Sequence, residues 1–199
     1  MSNPFRYFNS SPEVIRLVVM MYVRDPLSLR NVEDLLAERG IDISHETVRF
    51  WCNRFGPTFA AEIRKKRHEG EVLEAVVTAK RGNAAALKLL KRIMKKFDRP
   101  RTIVTDGLRA YSAAMKEVGS AGRQQVGRGL NNRAENSHQP FRRRERAMQR
   151  FRSMKALQKF SSVHAQVHNH FNQERHLVPR RVYKQRRSAA LAEWRAIAA

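Results

Sequence analysis

The fold of this chain is decided by the stretch TIVTDG at residues 102–107, where apolar and β-branched residues end in a carboxylate and a glycine. The β-branched run predicts a short strand. A helical pattern follows from Leu108 to Val118, so Asp106 lies in the turn that leaves the strand. In open α/β sheets the functional crevice lies outside the carboxyl ends of the strands. The stretch therefore predicts an α/β domain with Asp106 at its functional edge.

Further elements are predicted on both sides of this stretch. Residues 71–78 form another β-branched run and predict a strand, and residues 83–97 predict an amphipathic helix. A weaker strand pattern lies at 123–126, after several glycines. From Asn132 to about Asn172 the pattern is helical, with a break expected near Pro140. The alternation of strands and helices predicts a parallel strand pair covered by helices.

The N-terminal residues 12–55 predict three short helices. Gly40 stands where a left-handed residue would end the second helix, and Gly56-Pro57 is expected to end the third. Each helix follows a serine that can cap it: Ser11, Ser28 and Ser44.

Two helices joined by a short turn at Gly40 form a helix-turn-helix pattern. The outward face of the third helix carries residues that can reach base edges and phosphates: His45, Arg49, Asn53 and Arg54. An ordinary three-helix bundle with a polar face has the same spacing. The charge of the whole chain favours the DNA-binding interpretation.

The composition points to a polyanionic partner. The 199 residues carry a formal net charge of +22, and the isoelectric point is about 11.4. Nucleic acid is the expected partner, because binding of Lys and Arg to phosphates releases counterions. A hydrophobic content of 42% argues against a disordered basic tail. The single cysteine, Cys52, excludes an intrachain disulfide. The sequence has no signal peptide pattern and no apolar run of about 20 residues, so we expect a cytoplasmic protein without a membrane partner.

A second carboxylate, Glu135, opens the strongly basic stretch NNRAENSHQPFRRRER at residues 131–146. Carboxylates from two elements can hold hard divalent cations. The arginines that follow Glu135 are candidates for phosphate contact: Arg142, Arg143, Arg144 and Arg146. Ordinary turn and capping roles would also place Asp106 and Glu135 at these positions, and the arginines could form a solvated face.

Two histidines, His164 and His168, lie four residues apart on one predicted helix. That spacing suits a zinc pair, but no third ligand accompanies it. The sequence alone therefore does not establish a zinc site.

Two stretches resemble one family of enzymes. TIVTDGLRAY at 102–111 resembles the second acidic motif of bacterial insertion-sequence transposases with an RNase H-like DDE domain, and GLNNRAENSH at 129–138 resembles the third. The closest group is insertion sequence family six. Residues 22–54 resemble its helix-turn-helix, and residues 171–177 resemble its closing region.

This resemblance implies that Asp106 and Glu135 are the second and third catalytic carboxylates, which in the family hold two Mg²⁺ ions. The family's first carboxylate, an Asp on the first strand, has no counterpart in this chain. The missing segment would be two strands and their turns, very roughly 15–30 residues. We therefore expect an incomplete RNase H-like α/β domain with a long C-terminal helix and impaired catalysis.

The resulting domain prediction has four parts. They are a helix-turn-helix domain at 1–57, a basic linker at 58–69, a truncated RNase H-like domain at 70–176 and a basic tail at 177–199. The implied function is transposition by metal-dependent strand transfer in the bacterial cytoplasm, at the nucleoid. The implied partners are double-stranded DNA, as the element's terminal inverted repeats and its target, and a second copy of the chain. The alternative is a non-catalytic DNA-binding protein or repressor derived from a transposase. An RNA-binding protein is less favoured, because the sequence has no aromatic-rich strand motif.

Overall fold

The computed structural model describes residues 4–65, 74–80, 82–127, 129–130, 132–148, 151–172 and 177–197, and the side chains of these residues except 132–137. In these ranges the chain is mostly helical, with a two-stranded sheet, and no described helix is long and apolar enough to cross a bilayer. The elements follow in the order α1 (Pro12–Arg24), α2 (Leu29–Ala37), α3 (His45–Arg64), α4 (Asn83–Phe97), β1 (Ile103–Thr105), α5 (Arg109–Glu117), a 3₁₀ turn (Ala121–Arg123), β2 (Gln124–Val126), α6 (Asn132–Ala147), α7 (Met154–Phe171) and α8 (Arg180–Arg195).

The predicted starts of the first three helices are confirmed. The hydroxyl oxygens of Ser11, Ser28 and Ser44 each accept the backbone N–H three residues further on, at 3.1–3.4 Å. These bonds satisfy N–H groups that have no partner inside the helix. Gly40 adopts φ +72°, the left-handed conformation expected after α2.

The prediction that Gly56-Pro57 ends the third helix is wrong, because α3 continues to Arg64. A proline inside a helix costs about 3 kcal/mol. The extra turns bury Phe59 and Ile63, and each such side chain contributes about 1.5–3 kcal/mol. Gly56 lies against α7, where an added Cβ would be 3.4 Å from Val163 Cγ1. Burial of these side chains therefore stabilises the helix beyond Gly56-Pro57, so that α3 extends into the predicted linker.

The main core joins the N-terminal helices to α7 and α8. Trp194 on α8 is 2% exposed, and its indole N–H donates to the Arg16 carbonyl on α1 at 3.1 Å. Arg16 Nε donates in turn to the Ile197 carbonyl at 2.7 Å. The Trp194 ring meets Phe59 of α3 edge-on at 5.5 Å. Trp194 is thus a core residue, although it lies in the stretch predicted to be a basic tail.

The sheet is a parallel pair with its own small core. Ile103 pairs with Gln124 and Thr105 with Val126, so the weak strand pattern at 123–126 is confirmed as β2. The α4 and α5 helices pack together beside Ile103 through a small apolar cluster: Ala86, Leu90, Ala114 and Met115. The α/β prediction is correct only in part, because helices dominate the described residues.

The predicted strand at 71–78 is wrong over its described part, since residues 74–78 carry no strand, and residues 66–73 lie outside the described ranges. The side chain of Gln158 makes the backbone hydrogen bonds that a neighbouring strand would make. The Gln158 amide on α7 donates from Nε2 to the Ala75 carbonyl at 2.8 Å and accepts the Val77 N–H on Oε1 at 2.8 Å. Because these backbone groups are satisfied in this way, the segment is held without a ladder. Glu74 anchors it further, with Oε1 3.2 Å from Arg92 and Oε2 3.0 Å from Lys96 of α4.

The predicted long helix is divided at a different place from the one expected. Pro140 lies inside α6, and the break falls between Ala147 and Met154. There Ser153 accepts the Ala156 N–H at 3.2 Å and begins α7. A serine cap, rather than the proline, therefore determines where the second helix starts.

We expect Trp194→Ala to lower the free energy of unfolding by about 3–5 kcal/mol, because it removes a large buried ring and the indole hydrogen bond to the Arg16 carbonyl. Urea denaturation followed by circular dichroism measures the change. Leu177→Ala is the matched control, since Leu177 is 64% exposed and its loss should change stability by no more than about 0.5 kcal/mol. Equal stability of the two variants would contradict the role of α8 in the core.

Candidate functional site

Asp106 lies exposed at the carboxyl end of β1. Its Oδ1 accepts the Leu108 N–H at 3.2 Å, which closes a turn into α5. Gly107 between them has φ +76°, and a Cβ there would lie 3.0 Å from Val126 Cγ1 on β2. The left-handed backbone conformation favours glycine here, and an added Cβ would press on Val126. The Asp-Gly pair holds the carboxylate at the sheet edge.

Glu135 lies in the first turn of α6. Because β1 and β2 are parallel, their carboxyl ends meet at one edge of the sheet, and α6 begins six residues after Val126. The backbone therefore leads from the edge that carries Asp106 into the turn that carries Glu135. The Glu135 side chain lies outside the described residues.

The donor chemistry at this edge suits a hard divalent cation. Asp106 offers an exposed carboxylate with one oxygen in the turn hydrogen bond. Carboxylate oxygens and water are the ligands that such cations take. Within the described part of the chain, at this edge as at every other place, no three His, Cys, Asp or Glu side chains are grouped closely enough to hold a metal ion. That finding includes His164 and His168, so no zinc site forms among the described residues.

The predicted DNA-facing side chains of α3 differ in how they are held. His45 Nδ1 lies 2.9 Å from Glu33, and Arg49 lies 2.8 Å from Glu46. Asn53 and Arg54 are exposed. The four residues lie along one helix, but acidic neighbours engage the first two.

Three of the four predicted phosphate-contacting arginines of α6 are exposed: Arg142, Arg143 and Arg146. The prediction for Arg144 is wrong, because this side chain is 1% exposed. The physical reason is the direction it faces on α6. Phe141 and Met148, three residues before and four after it, pack against the main core and place Arg144 on the same face. That spacing was the sequence signal that could have identified it.

Arg144 caps the carboxyl end of α1. Its Nε and Nη2 donate to the Tyr22 carbonyl, the Nε at 2.7 Å. Tyr22 lies in the last turn of α1, where carbonyls lack helical partners and the helix dipole favours a cation. The guanidinium carbon lies 4.6 Å from the centre of the Tyr22 ring and 5.5 Å from that of Phe160. Burial lowers the pKa of Arg144 to about 10, which leaves it charged at neutral pH.

A small cavity of about 180 Å³ lies between the end of α1, at Arg24 and Asp25, and α7. Two of its lining residues, His164 and His168, stack with ring centres 5.8 Å apart. Burial, together with electrostatic repulsion from His168 and Arg144, lowers the pKa of His164 to about 4. Burial also lowers the pKa of His168. The two histidines are therefore neutral at pH 7.

A protein family described as a DDE domain matches residues 64–174, more than half of the chain, including Asp106 and Glu135. The chain therefore belongs to the DDE transposases of insertion sequences, in the group of insertion sequence family six.

Curated relatives agree with this assignment. The transposase for insertion sequence-like element IS431mec of Staphylococcus aureus strain N315 is 28% identical over 145 residues, covering 58% of this chain. The transposase for insertion sequence element IS257 in transposon Tn4003 of Staphylococcus aureus has the same identity and coverage. The chain spans 64% of the length of these relatives. No solved structure matches the chain significantly.

We expect Arg144→Ala to lower the free energy of unfolding by about 2–4 kcal/mol, because it leaves a gap between two rings and an unpaired helix-terminal carbonyl. Arg144→Met should lose less, since its side chain refills the gap without a buried charge. Urea denaturation provides the comparison, with the exposed Arg143→Ala as the matched control. A control variant as unstable as Arg144→Ala would contradict the capping role.

The histidine pair predicts acid sensitivity. The folded pKa of His164, about 4, lies below its unfolded value of about 6.5. The unfolded state therefore binds more protons between these values, and stability present above pH 6.5 is lost as pH falls toward 4. We expect a loss of up to about 3 kcal/mol from His164. Urea unfolding at pH 7 and pH 4.5 should show a smaller decrease for His164→Gln than for the exposed control His138→Gln. Identical decreases would contradict this assignment.

Proposed function

We propose that this protein is an insertion-sequence transposase that binds double-stranded DNA and is impaired in strand transfer. The observation that carries the proposal is the position of Asp106, exposed in a glycine-favouring turn at the carboxyl edge of a parallel strand pair, within a matched DDE domain that also contains Glu135. The transposase names of the relatives support it.

Asp106 and Glu135 are the residues that would hold the divalent cation that a DDE domain generally requires, and we propose Mg²⁺. Such a cation, when bound, supplies activation of an attacking oxygen and stabilisation of a leaving one. The turn hydrogen bond from the Leu108 N–H orients the Asp106 carboxylate toward solvent. The exposed arginines of α6, Arg142, Arg143 and Arg146, are placed on the helix of Glu135 to contact DNA phosphates.

DNA recognition is assigned to α2 and α3 as a helix-turn-helix. The turn with Gly40 at φ +72° and the serine-capped start of α3 support this assignment. Asn53 and Arg54 are available for bases or phosphates, whereas Arg49 would exchange its ion pair with Glu46 for a phosphate. With a net charge of +22, association with the nucleoid follows from the same chemistry. A homodimer that brings two DNA ends together belongs to this proposal.

The impairment is attributed to an internal deletion that removed the first catalytic Asp. The alignment with the relatives spans 145 positions but uses 58% of the 199 residues, which is about 115. About 30 positions of the relatives therefore face no residue of this chain, close to the roughly 15–30 residues of two strands and their turns. The use of Gln158 in place of a strand beside residues 75–77 supports the same explanation.

The alternative is a non-catalytic DNA-binding protein derived from a transposase, such as a repressor of an intact relative. The observation that favours it is the segment at 74–78, which carries no strand. A domain that lacks partner strands would keep its affinity for DNA more readily than the geometry needed to hold a metal ion. The two functions differ in a single measurable property, DNA cleavage.

We expect the purified full-length chain with Mg²⁺ to bind duplex DNA that carries the inverted repeats flanking its gene, and to cleave it no faster than Asp106→Asn. This variant keeps the turn hydrogen bond and removes the charge that would hold the cation. Gel-based strand-transfer and binding assays test both expectations.

The matched control for this experiment is Asp98→Asn, which changes another exposed carboxylate of the same domain. Robust strand transfer that Asp106→Asn abolishes and Asp98→Asn preserves would overturn the impairment. Failure of the unmodified protein to bind any duplex DNA would overturn the proposed function as a whole.

A further inference from the structure

The N-terminal half of α8 carries a dense and exposed set of cations outside the matched DDE domain, which ends at residue 174. Five of eight consecutive residues are basic: Arg180, Arg181, Lys184, Arg186 and Arg187. Between residues 177 and 192 the sequence has no acidic residue. We name this set the α8 cationic segment.

No acidic side chain among the described residues neutralises these charges. Within the described part of the chain none of them forms an ion pair, although Arg187 does donate to the Tyr183 hydroxyl at 3.3 Å. The basic helix α4 differs, since Lys91 lies 3.4 Å from Glu117 and Lys96 lies 3.0 Å from Glu74. The cations of α4 are thus partly neutralised, while those of α8 face solvent.

The position of the charges along α8 is unfavourable for the helix itself. Its first turn contains Arg180 and Arg181 and no acidic residue. The helix dipole places partial positive charge there, so each cation costs about 0.3–1 kcal/mol instead of stabilising the helix. Local helix stability therefore does not account for the segment, whereas an external anion would.

The segment is nevertheless held firmly in place by the opposite end of the helix. Trp194 is buried in the main core and bonded to α1, and the Ala190 carbonyl lies 2.7 Å from His170 Nε2 on α7. The helices α1 and α7 therefore determine the direction in which α8 projects. A fixed basic helix loses little conformational freedom when it binds.

The spacing suits duplex DNA. Arg180, Lys184 and Arg187 recur at i, i+4 and i+7 and share one face over about 10 Å of helix. Duplex DNA carries about six phosphate charges over that length. An anionic membrane fits less well, because membrane-surface helices oppose their charged face with large apolar residues. The large apolar residue Trp194 is in the core instead.

We propose that the α8 cationic segment is a second DNA-binding surface, which contacts the phosphates of duplex DNA without reading its sequence. It acts independently of α3 and of the exposed arginines of α6. This inference rests on the proposed function only in taking duplex DNA as the partner.

The test compares two triple variants of the full chain that lose the same charge. One is R180Q/K184Q/R187Q on α8, and the control is K88Q/K91Q/K95Q on α4, where the three lysines are exposed and also share a helix face. Binding to a random 30-base-pair duplex is measured by fluorescence anisotropy between 50 and 300 mM KCl. Anionic phospholipid vesicles are titrated in parallel, and circular dichroism and urea unfolding report on the fold.

We expect the α8 variant to reduce the slope of log K against log salt by about 2–3, at about 0.9 for each lost phosphate contact, while its stability is unchanged or higher. The control should keep most of the slope. The charge-conserving variant R180K/R187K should show the same salt slope as the unmodified chain, because the phosphate contacts use the charge rather than the guanidinium geometry.

Three results would overturn the proposal. They are an unchanged slope for the α8 variant, an equal loss in both triple variants, and a loss of vesicle binding without a loss of DNA binding. If the unmodified chain and the α8 variant bind DNA equally well, the α8 proposal fails and the proposed function survives. If the unmodified chain binds no DNA, both proposals fail.

Discussion

The arrangement of the helices depends on one buried cation. The Arg144 side chain extends from α6 and caps the carboxyl end of α1 through the Tyr22 carbonyl. It lies against the rings of Tyr22 and Phe160. It thereby attaches the helix that carries Glu135 to an N-terminal helix and to α7 at one point. Burying a charge is costly unless it is hydrogen-bonded. The bond to an otherwise unpaired helix carbonyl offsets part of that cost, although Nη1 is buried without a hydrogen-bond partner among the described residues. Together with the packing of Phe141 on Phe160, this contact positions α6.

Within its described residues the chain forms two cores of unequal size. The larger one unites the helices α1, α3, α7 and α8, so that the C-terminal helix packs on the N-terminal ones. The smaller one lies between α4, α5 and β1 and supports a sheet that has two strands in the described part of the chain. Residues 74–78 are bound to α7 by Gln158 instead of by a neighbouring strand. The helical part is thus extensively packed, whereas the sheet that carries Asp106 is small.

Much of this fold was predictable from local sequence. Serine caps, the glycine after α2 and the Asp-Gly turn were all identified, because each depends on the few residues next to it. The continuation of α3 through Pro57 was not, because burial of Phe59 and Ile63 outweighs a local break signal. The strand expected at 71–78 failed for a related reason. β-Branched residues favour a strand only where a partner strand supplies the ladder.

The sequence by itself determined the family and the place of Asp106, because a motif of contiguous residues identifies both, and it determined the basic character that points to DNA. Only the tertiary structure decided what each cation does. Adjacent arginines on α6 face opposite environments, Arg143 toward solvent and Arg144 into the core, and the charges of α8 are directed outward by a tryptophan seven to fourteen residues away along the helix. The physical reason is that burial depends on neighbours distant in the chain. The spacing of apolar neighbours indicates which arginine of a run faces the core, but the helix terminus that it meets there depends on how the helices pack.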